Sequence, residues 1–269
     1  MDKYSIFFEA NKHLWNQRTV IHRDSSFYNR EGFKKGESVL TPIELNEVGD
    51  VKGKKMLHLQ CHFGMDSLNW ARLGADVTGV DLSDEAIKEA KQLNDELKMN
   101  AKFICCNIYD LKEHLDEKFD IVFTSYGTIG WLPDLDKWAG LISHYLKPGG
   151  LFYMADFHPV VWMFNDDFTH IQYYYDNREL IVTENYGTYT DRKADIKGKE
   201  YSWNHSTSEL LNALIGAGLQ LEQFNEHMYS PYSNFTNSVE TSPGEWQIKG
   251  MEGKIPMVYS IRALKPLAP

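Results

Sequence analysis

Cysteine is scarce in this chain of 269 residues. The three cysteines, Cys61, Cys105 and Cys106, cannot build a disulfide framework. No CxxC or HExxH spacing occurs, so we expect no structural metal. These absences exclude the small disulfide-stapled and zinc-stabilised classes of domain.

Excess positive charge and long apolar runs are also missing. The 28 Lys and Arg residues are outnumbered by 38 Asp and Glu, giving a formal net charge of −10, and the basic residues are scattered, so we expect no nucleic-acid partner. No stretch is long and apolar enough for a bilayer, and the N-terminus MDKYSIFFEANKHLW has neither the basic start nor the apolar centre of a secretory signal. We expect a soluble cytoplasmic protein, without a membrane partner, that is a monomer or a homodimer.

What is present is concentrated in residues 54–81, which predict a strand, a tight turn, a helix and a second strand. Gly64 in the turn lets the backbone approach a ligand, and Gly74 ends the helix as a C-terminal cap. The second strand delivers Asp81. Since the carboxyl ends of parallel strands line one crevice, an acidic residue there can accept hydrogen bonds from both hydroxyls of a ribose. The stretch therefore predicts half of a nucleoside-binding unit.

The alternation of strands and helices continues for another 75 residues. Ser83 and Asp134 are positioned to cap helices, and the sequence LKPGG at 146–150 ends the second of these sharply. Further strands are predicted at 101–105, 119–124 and 151–155. Five strands alternating with helices predict a doubly wound parallel sheet.

Asn107 and Ile108 follow the third strand. An amide beside an aliphatic side chain suits a purine, because the amide meets the polar edge of the ring while the aliphatic group covers its face. The alternative is that Asn107 simply makes an Asx-turn.

Residues 1–48 form an N-terminal attachment with two loosely helical segments, at 4–20 and 38–48. We interpret it as a helical lid over the crevice, with Trp15, Arg18, His22 and Tyr28 available to touch cofactor or substrate. The alternative is that these side chains only pack the attachment onto the core.

Residues 160–203 break the alternation. Tyrosine and β-branched residues at 172–175, 180–183 and 186–189 predict short antiparallel strands inserted after strand five. A capping box of Ser206 and Glu209 then starts a helix that Gly218 closes. Strands at 219–224 and 257–264 flank a loop, residues 226–256, whose length is uncommon unless it covers a site or contains small elements of its own.

Five segments in register resemble one family, the class I S-adenosylmethionine-dependent methyltransferases. They are LHLQCHFGMDSL at 57–68, VTGVDLS at 77–83, CNIYDL at 106–111, FDIVFTSYGTIGWLPDL at 119–135 and LKPGG at 146–150. The likeness is strong over about residues 50–156, and the chain looks particularly like a bacterial subgroup with a QCHFG turn. It implies an α/β, doubly wound, Rossmann-like seven-stranded sheet whose last strand is antiparallel, with residues 49–269 as the methyltransferase domain.

The resemblance also implies the cofactor, S-adenosyl-L-methionine, and the residues that hold it. Gln60, Cys61, His62 and Gly64 would wrap the methionine part, Asp81 the ribose, Leu82, Asn107 and Ile108 the adenine, and Ser125 and Tyr126 would lie beside the sulfonium. The sequence departs from the family in three places: His58 replaces the usual acidic residue of the first strand, and Gln60 and His62 replace glycines.

Methyl transfer from a sulfonium depends on positioning and on exclusion of water. Tyr126 and Trp131 could cover the cationic sulfur. For a hydroxyl, phenol or ammonium acceptor, His158 after strand five is the first candidate base and Asp156 the second; a structural, hydrogen-bonded His158 is the alternative. The predicted substrate contacts are Trp15, Tyr28, Trp131, His158 and Tyr173, although a tyrosine-rich insert is also typical of a packed sheet or a dimer surface.

The predicted function is therefore transfer of a methyl group to an O or N atom of an unidentified small molecule, which the negative charge and the enclosing additions favour. A protein that binds the cofactor without catalysis is the first alternative, because Gln60 and His62 alter the turn. A nicotinamide-dependent oxidoreductase is less favoured, because the turn has only Gly64 and lacks GxGxxG.

Overall fold

The computed structural model describes residues 4–267, apart from the side chains of residues 177, 178 and 185. The helices are α1 (Ser5–Arg23), α2 (Arg30–Lys34), α3 (Pro42–Val48), α4 (Met65–Arg72), α5 (Asp84–Glu96), α6 (Leu135–Tyr145) and α7 (Thr207–Gly216). The strands are β1 (Lys55–Leu59), β2 (Asp76–Asp81), β3 (Lys102–Cys105), β4 (Phe119–Ser125), β5 (Leu146–Phe157), β6 (Asn177–Tyr186), β7 (Lys197–Asn204), β8 (Gln220–His227), β9 (Ser238–Ser242), β10 (Glu245–Ile248) and β11 (Val258–Leu264). The outermost residues of the predicted segments 1–48 and 49–269, namely 1–3 and 268–269, lie outside the described residues. Between residues 4 and 267, no helix combines the length and apolar character that crossing a bilayer requires.

Seven strands form one sheet in the order β3-β2-β1-β4-β5-β11-β8. β1 lies at its centre, parallel to β2 on one side and to β4 on the other. β11 is antiparallel to both β5 and β8. The predicted Rossmann-like sheet with an antiparallel last strand is thus confirmed. Because the strand order reverses between β1 and β4, a crevice opens at the carboxyl ends of these strands.

The two faces of the sheet bury different helices, as the period of two along β1 requires. Leu57 shares a buried cluster with Trp138 of α6 and Leu214 of α7. Met56, on the opposite face, belongs to a second cluster with Trp70 of α4. Trp70 is 1% exposed, and the other four side chains are completely buried: Met56, Leu57, Trp138 and Leu214. Each such side chain stabilises the fold by roughly 1.5–3 kcal/mol.

Three predicted helix caps are present. The Ser83 hydroxyl accepts the N–H of Ala86 at 3.0 Å, and the Asp134 carboxylate accepts that of Lys137 at 2.8 Å. Ser206 caps α7 by accepting the N–H of Glu209, whose own carboxylate instead meets His205 Nδ1 at 3.0 Å. Each cap satisfies a backbone donor that would otherwise lack a partner, which is worth about 1 kcal/mol.

The inserted segment contains a hairpin, β6 and β7, that forms a separate two-stranded sheet. The predicted antiparallel insertion is confirmed, but its details are wrong: residues 172–175 form no strand, and residues 187–189 lie beyond the end of β6. The backbone N–H groups of Gln172 and Tyr173 both bond to the carbonyl of Met163, at 2.7 and 2.9 Å. The loop from residue 163 to residue 173 therefore satisfies these two N–H donors internally, whereas a strand would have offered them to a neighbouring strand.

The N-terminal helix α1 docks on this hairpin. The Asn11 side chain imitates a strand by donating to the Tyr201 carbonyl at 2.7 Å and accepting the Tyr201 N–H at 2.9 Å. Arg18 pairs with Glu200 at 2.7 Å. The two additions to the central sheet are thus joined to each other by buried or half-buried polar contacts.

The long loop after β8 contains a small antiparallel sheet of its own, formed by β9 and β10. It is tied to the segment after β5, because Asn237 Nδ2 donates to the Asp167 carbonyl at 2.9 Å. The guanidinium of Arg192 also donates to the Asn234 carbonyl, at 3.2 Å.

We expect Gly64→Ala to destabilise the protein by about 2 kcal/mol, because Gly64 has a φ of +78° and no room for a side chain. A Cβ there would lie 2.7 Å from the Phe103 ring and 2.9 Å from the Ala90 Cβ. The midpoint of urea unfolding measures the change. Gly140→Ala in α6 is the matched control: nothing lies within 4 Å of its Cβ position, so alanine should stabilise the helix by about 0.5–1 kcal/mol. Equal unfolding midpoints for the two variants would contradict the expectation.

Candidate active site

A cavity of about 770 Å³ lies at the carboxyl ends of β1 to β4. Pockets of a few hundred to about 1,000 Å³ enclose most of the surface of small ligands and cofactors. The predicted cofactor-binding residues all line this one cavity: Gln60, Cys61, His62, Gly64, Asp81, Leu82, Asn107, Ile108, Ser125 and Tyr126. The four loops that follow β1, β2, β3 and β4 therefore meet at the point where the strand order reverses.

The turn after β1 keeps the backbone path of a glycine-rich turn although it carries two bulky side chains. Gln60 and His62 have φ values of 56° and 51°, in the left-handed region that glycine enters freely, and each costs about 1 kcal/mol of strain. The Gln60 amide turns aside to donate to the Thr128 carbonyl at 2.8 Å. The His62 ring packs 5.3 Å from Trp15 and 4.3 Å from Phe63. Both side chains line the cavity, which keeps a volume of about 770 Å³ beside them.

The carboxylate of Asp81 stands half-buried at the end of β2. One oxygen accepts the N–H of His62 and the other accepts that of Ser83, each at 2.8 Å. Burial raises the pKa of Asp81, and these backbone N–H groups counteract the increase. A carboxylate has about four lone-pair directions, so Asp81, which lines the cavity, keeps acceptor capacity for a ligand beyond these backbone hydrogen bonds.

The segment after β3 supplies Asn107 and Ile108. The Asn107 carbonyl oxygen accepts the N–H of Tyr109 at 3.1 Å and caps a short 3-10 helix. This is the Asx-turn that the sequence left open as an alternative. Since Asn107 also lines the cavity, its amide nitrogen is available to a ligand while its oxygen holds the turn.

The loop after β4 is held by the buried carboxylate of Asp156 at the end of β5. Asp156 accepts the backbone N–H groups of Gly127, Thr128, Ile129 and Phe157 and the Thr128 hydroxyl. Its lone pairs are therefore occupied, and it fixes the loop that carries Ser125, Tyr126 and Trp131.

Tyr126 directly follows β4 and lines the cavity. Its backbone φ of 24° is unusual for a residue other than glycine. Its hydroxyl donates to Glu44 at 3.0 Å, and Glu44 accepts in addition from the Thr41 N–H at 2.7 Å. Burial raises the pKa of Glu44 to about 7 and raises that of Tyr126 well above its usual range. The capping box of α3 thereby fixes the Tyr126 ring.

Aromatic rings from the N-terminal attachment cover the cavity. The Trp15 ring lies 5.4 Å from Trp131, and Tyr28 lies 5.6 Å from His62. The Arg18 guanidinium lies 5.2 Å from the Trp15 ring centroid, while His22 bonds to the Thr188 hydroxyl. Trp15, Arg18 and Tyr28 line the cavity, whereas His22 is buried behind it with a pKa lowered by burial.

A family model described as a methyltransferase domain matches residues 50–208. That span is more than half of the 269 residues. The chain belongs to this methyltransferase family. The predicted methyltransferase domain is confirmed by the family model, and the predicted class I fold is confirmed by the seven-stranded sheet.

Individual relatives are distant from this methyltransferase. A ubiquinone biosynthesis O-methyltransferase of Xanthomonas oryzae is 29% identical over 132 residues, covering 48% of this chain and 55% of its own length, so the match spans about half of the curated relative. Among solved structures, an S-adenosylmethionine-dependent methyltransferase from Clostridium acetobutylicum has a TM-score of 0.57 at 16% identity, with 96% of this chain and 99% of that chain covered. Geranyl diphosphate C-methyltransferase from Streptomyces coelicolor, solved with S-adenosyl-L-homocysteine, has a TM-score of 0.54 at 14% identity, with 93% and 83% covered. These structures support the fold.

Unpartnered polar atoms in the cavity of the methyltransferase fit S-adenosylmethionine. Two buried polar atoms of the β1 turn, Gln60 Oε1 and His62 Nε2, have no partner among the described residues. The amino acid end of the cofactor carries an ammonium and a carboxylate, and these could satisfy such atoms. Burial lowers the pKa of His62 to about 3, so its ring is neutral.

Two residues predicted to serve the methyltransferase lie away from the cavity. His158 and Tyr173 are absent from its described lining. The buried His158 instead pairs through Nε2 with Glu226 of β8 at 2.9 Å and through Nδ1 accepts the Val160 N–H at 3.2 Å. The structure brings Asp156 and Tyr126 to the cavity, but it does not bring His158 there.

Sequence reasoning missed several residues of the cavity wall. Asp66, in the first turn of α4, lines the cavity and accepts a hydrogen bond from Ser125 at 3.1 Å. Its position after Gly64 was a usable signal, although an acidic residue in the first turn also suits the helix dipole. Tyr189, Tyr232 and Phe235 line the cavity too, and no local pattern distinguishes them from other aromatic residues in loops.

Proposed function

We propose that the protein transfers the methyl group of S-adenosylmethionine to an oxygen or nitrogen atom of a small molecule. The observation that carries the proposal is the convergence of the predicted cofactor-binding residues on one cavity. Its volume of about 770 Å³ leaves room for an acceptor beside the nucleoside. The name of the Xanthomonas relative, an O-methyltransferase, favours oxygen as the acceptor atom.

In this proposal the free acceptor sites of Asp81 bind the two ribose hydroxyls. Leu82 and Ile108 cover the adenine ring, and the Asn107 amide meets its polar edge. Gln60, Cys61, His62 and Gly64 surround the amino acid part, with Gln60 Oε1 as an acceptor for the ammonium. The support is positional: these residues occupy the ends of three adjacent parallel strands.

We further propose that residues 1–48 act as a lid, together with the insertion at 160–203 and the loop at 226–256. Methyl transfer needs an aligned nucleophile and a dry site rather than strong acid-base chemistry. Trp15, Tyr28 and Trp131 all contribute rings to the cavity wall, where Tyr126 and Trp131 can shield the sulfonium. The proposed substrate contacts are thus Trp15, Tyr28 and Trp131, without His158 and Tyr173.

The QCHFG turn suggests a bacterial methyltransferase subgroup, and the net charge of −10 argues against a nucleic-acid acceptor. The cytoplasmic location and the monomer or homodimer state stay predictions.

The test combines binding with turnover. Calorimetry with S-adenosylmethionine, S-adenosylhomocysteine and NAD should give binding of the first two and none of the third. Formation of S-adenosylhomocysteine is then followed across a panel of small alcohols, phenols and amines. Binding of NAD alone would support the oxidoreductase, and binding of the nucleosides without turnover on any acceptor would support the non-catalytic alternative.

A further inference from the structure

Asp66 stands at the junction between the turn after β1 and the end of β4. It follows Gly64 by two residues, and the Ser125 hydroxyl holds its Oδ2 at 3.1 Å. Both side chains line the cavity. Since Ser125 and Tyr126 are proposed to lie beside the sulfonium, the Asp66 carboxylate lies at the reactive end of the site.

Asp66 differs from the other solvent-shielded carboxylates of the described cavity wall, because neither the proposed ribose, a backbone N–H group nor a cation occupies it. Among the described residues shielded from solvent in this wall, Asp81 and Asp156 accept backbone N–H groups, and Glu200 pairs with Arg18. Among the described residues Asp66 forms no salt bridge, and its hydrogen-bond donor is the Ser125 hydroxyl. A half-buried carboxylate with free lone pairs is suited to accept a proton.

The titratable groups that face Asp66 are Glu44 of α3, Tyr28 before α2, Tyr232 of the long loop and Cys61 of the β1 turn. None of these is a cation. Burial raises the pKa of Asp66 to about 6, and the Ser125 hydrogen bond counteracts the increase. Glu44 does not line the cavity and is engaged by Thr41 and Tyr126.

Aromatic rings continue from this point along the cavity. Tyr232 contacts Tyr126 edge-on at 5.0 Å, and Tyr126 lies 5.8 Å from Phe157. Phe157 in turn lies 5.1 Å from Phe235. Such a wall buries a flat ring through offset or edge-on contacts. It therefore suits an aromatic acceptor whose polar group reaches Asp66.

We propose that the acceptor is an aromatic hydroxyl compound and that Asp66 is the catalytic base that takes its proton. A lone pair of the hydroxyl oxygen forms the new O–CH₃ bond, while the CH₃–S bond breaks and leaves its electron pair on sulfur. The hydroxyl proton moves to a carboxylate oxygen of Asp66. The positive charge of the sulfonium and the negative charge of the carboxylate disappear together, so the step balances.

This inference rests on the proposed function, and its test separates the two. Calorimetry with S-adenosylhomocysteine on the natural protein, Asp66→Asn and the control Asp95→Asn tests the cofactor site, because Asp95 is exposed on α5 and outside the cavity lining. All three should bind within a factor of about two of one another. If the natural protein does not bind, the proposed function fails; if only Asp66→Asn loses about tenfold or more, Asp66 holds the cofactor and the inference is wrong.

The second measurement uses 4-nitrophenol, whose absorbance reports its ionisation, with the protein saturated by S-adenosylhomocysteine. Because an anionic carboxylate disfavours a neighbouring phenolate, the pKa of the bound phenol should be higher in the natural protein than in Asp66→Asn, by about one unit or more. The Asp95→Asn control should match the natural protein. Absence of phenol binding, or equal phenol pKa values in the natural protein and Asp66→Asn, overturns the inference while leaving the proposed function intact.

The third measurement is the pH dependence of methyl transfer to catechol. Asp66 must be ionised to act, so the rate should fall as pH decreases through about 6. Asp66→Asn should lose about 100-fold in kcat together with this acid limb. Ser125→Ala removes the hydrogen bond that lowers the pKa of Asp66, so the limb should move to higher pH. A limb that persists in Asp66→Asn belongs to another group, such as Glu44, and contradicts the assignment, as does the absence of turnover.

Discussion

Replacing Asp81 with alanine is expected to lower the affinity for S-adenosylhomocysteine about 100-fold. The carboxylate lines the cavity and keeps acceptor capacity for the proposed ribose beyond the N–H groups of His62 and Ser83. Two hydrogen bonds from ribose hydroxyls to a charged acceptor contribute about 1.5 kcal/mol each, and 1.4 kcal/mol corresponds to a factor of ten. Titration calorimetry at fixed pH and salt measures the loss directly.

The alanine variant also frees two backbone donors, so the turn itself could loosen. Asp81→Asn keeps one carbonyl oxygen and nearly the same shape, and should therefore lose less affinity than Asp81→Ala. Asp95→Ala, on the exposed side of α5, should bind as the natural protein does. Unchanged affinity in a folded Asp81→Ala variant would remove Asp81 from the nucleoside site and with it the main support for the proposed function.

The central part of the fold could be predicted because its signals are local. The alternation of Met56 and Leu57 between two buried clusters follows from the period of a strand, and Ser83 caps α5 through a bond that spans three residues. The end of β2 placed Asp81 at the crevice for the same reason. Parallel strands bring their carboxyl ends together whatever the loops contain.

The surroundings of the site depend on contacts that join distant parts of the chain. Asn11 bonds to Tyr201, and His22 bonds to Thr188. No periodic pattern marks either pair, since each is a polar contact between an element and a hairpin added to the central sheet. The aromatic residues of the attachment could be named as candidates, but only the docking of α1 on β7 determines which of them reach the cavity.

His158 illustrates the same difference. Its position just after β5 favoured a role at the reactive edge, where Asp156 does line the cavity. The chain leaves the strand at Phe157, and the His158 N–H bonds to the Met257 carbonyl beside β11. Because β11 lies next to β5 and β8 lies next to β11, a carboxylate of β8 is within reach and pairs with the imidazole. A local sequence pattern does not show which strands will lie next to β5 in the sheet.

Asp156→Ala is expected to have the largest effect on stability, about 4 kcal/mol. The carboxylate is 2% exposed and accepts the N–H groups that shape residues 127–129. Alanine would leave several buried donors without a partner, each at about 1–3 kcal/mol, with some recovered by water entering from the cavity. Asp156→Asn retains one acceptor oxygen and should lose clearly less, whereas the exposed Asp95→Ala should unfold as the natural protein does. Urea unfolding gives the three values. If Asp156→Ala is as stable as Asp95→Ala, the loop that carries Ser125 and Tyr126 holds its shape by other means, since its four hydrogen bonds to this carboxylate would then contribute nothing net to the fold.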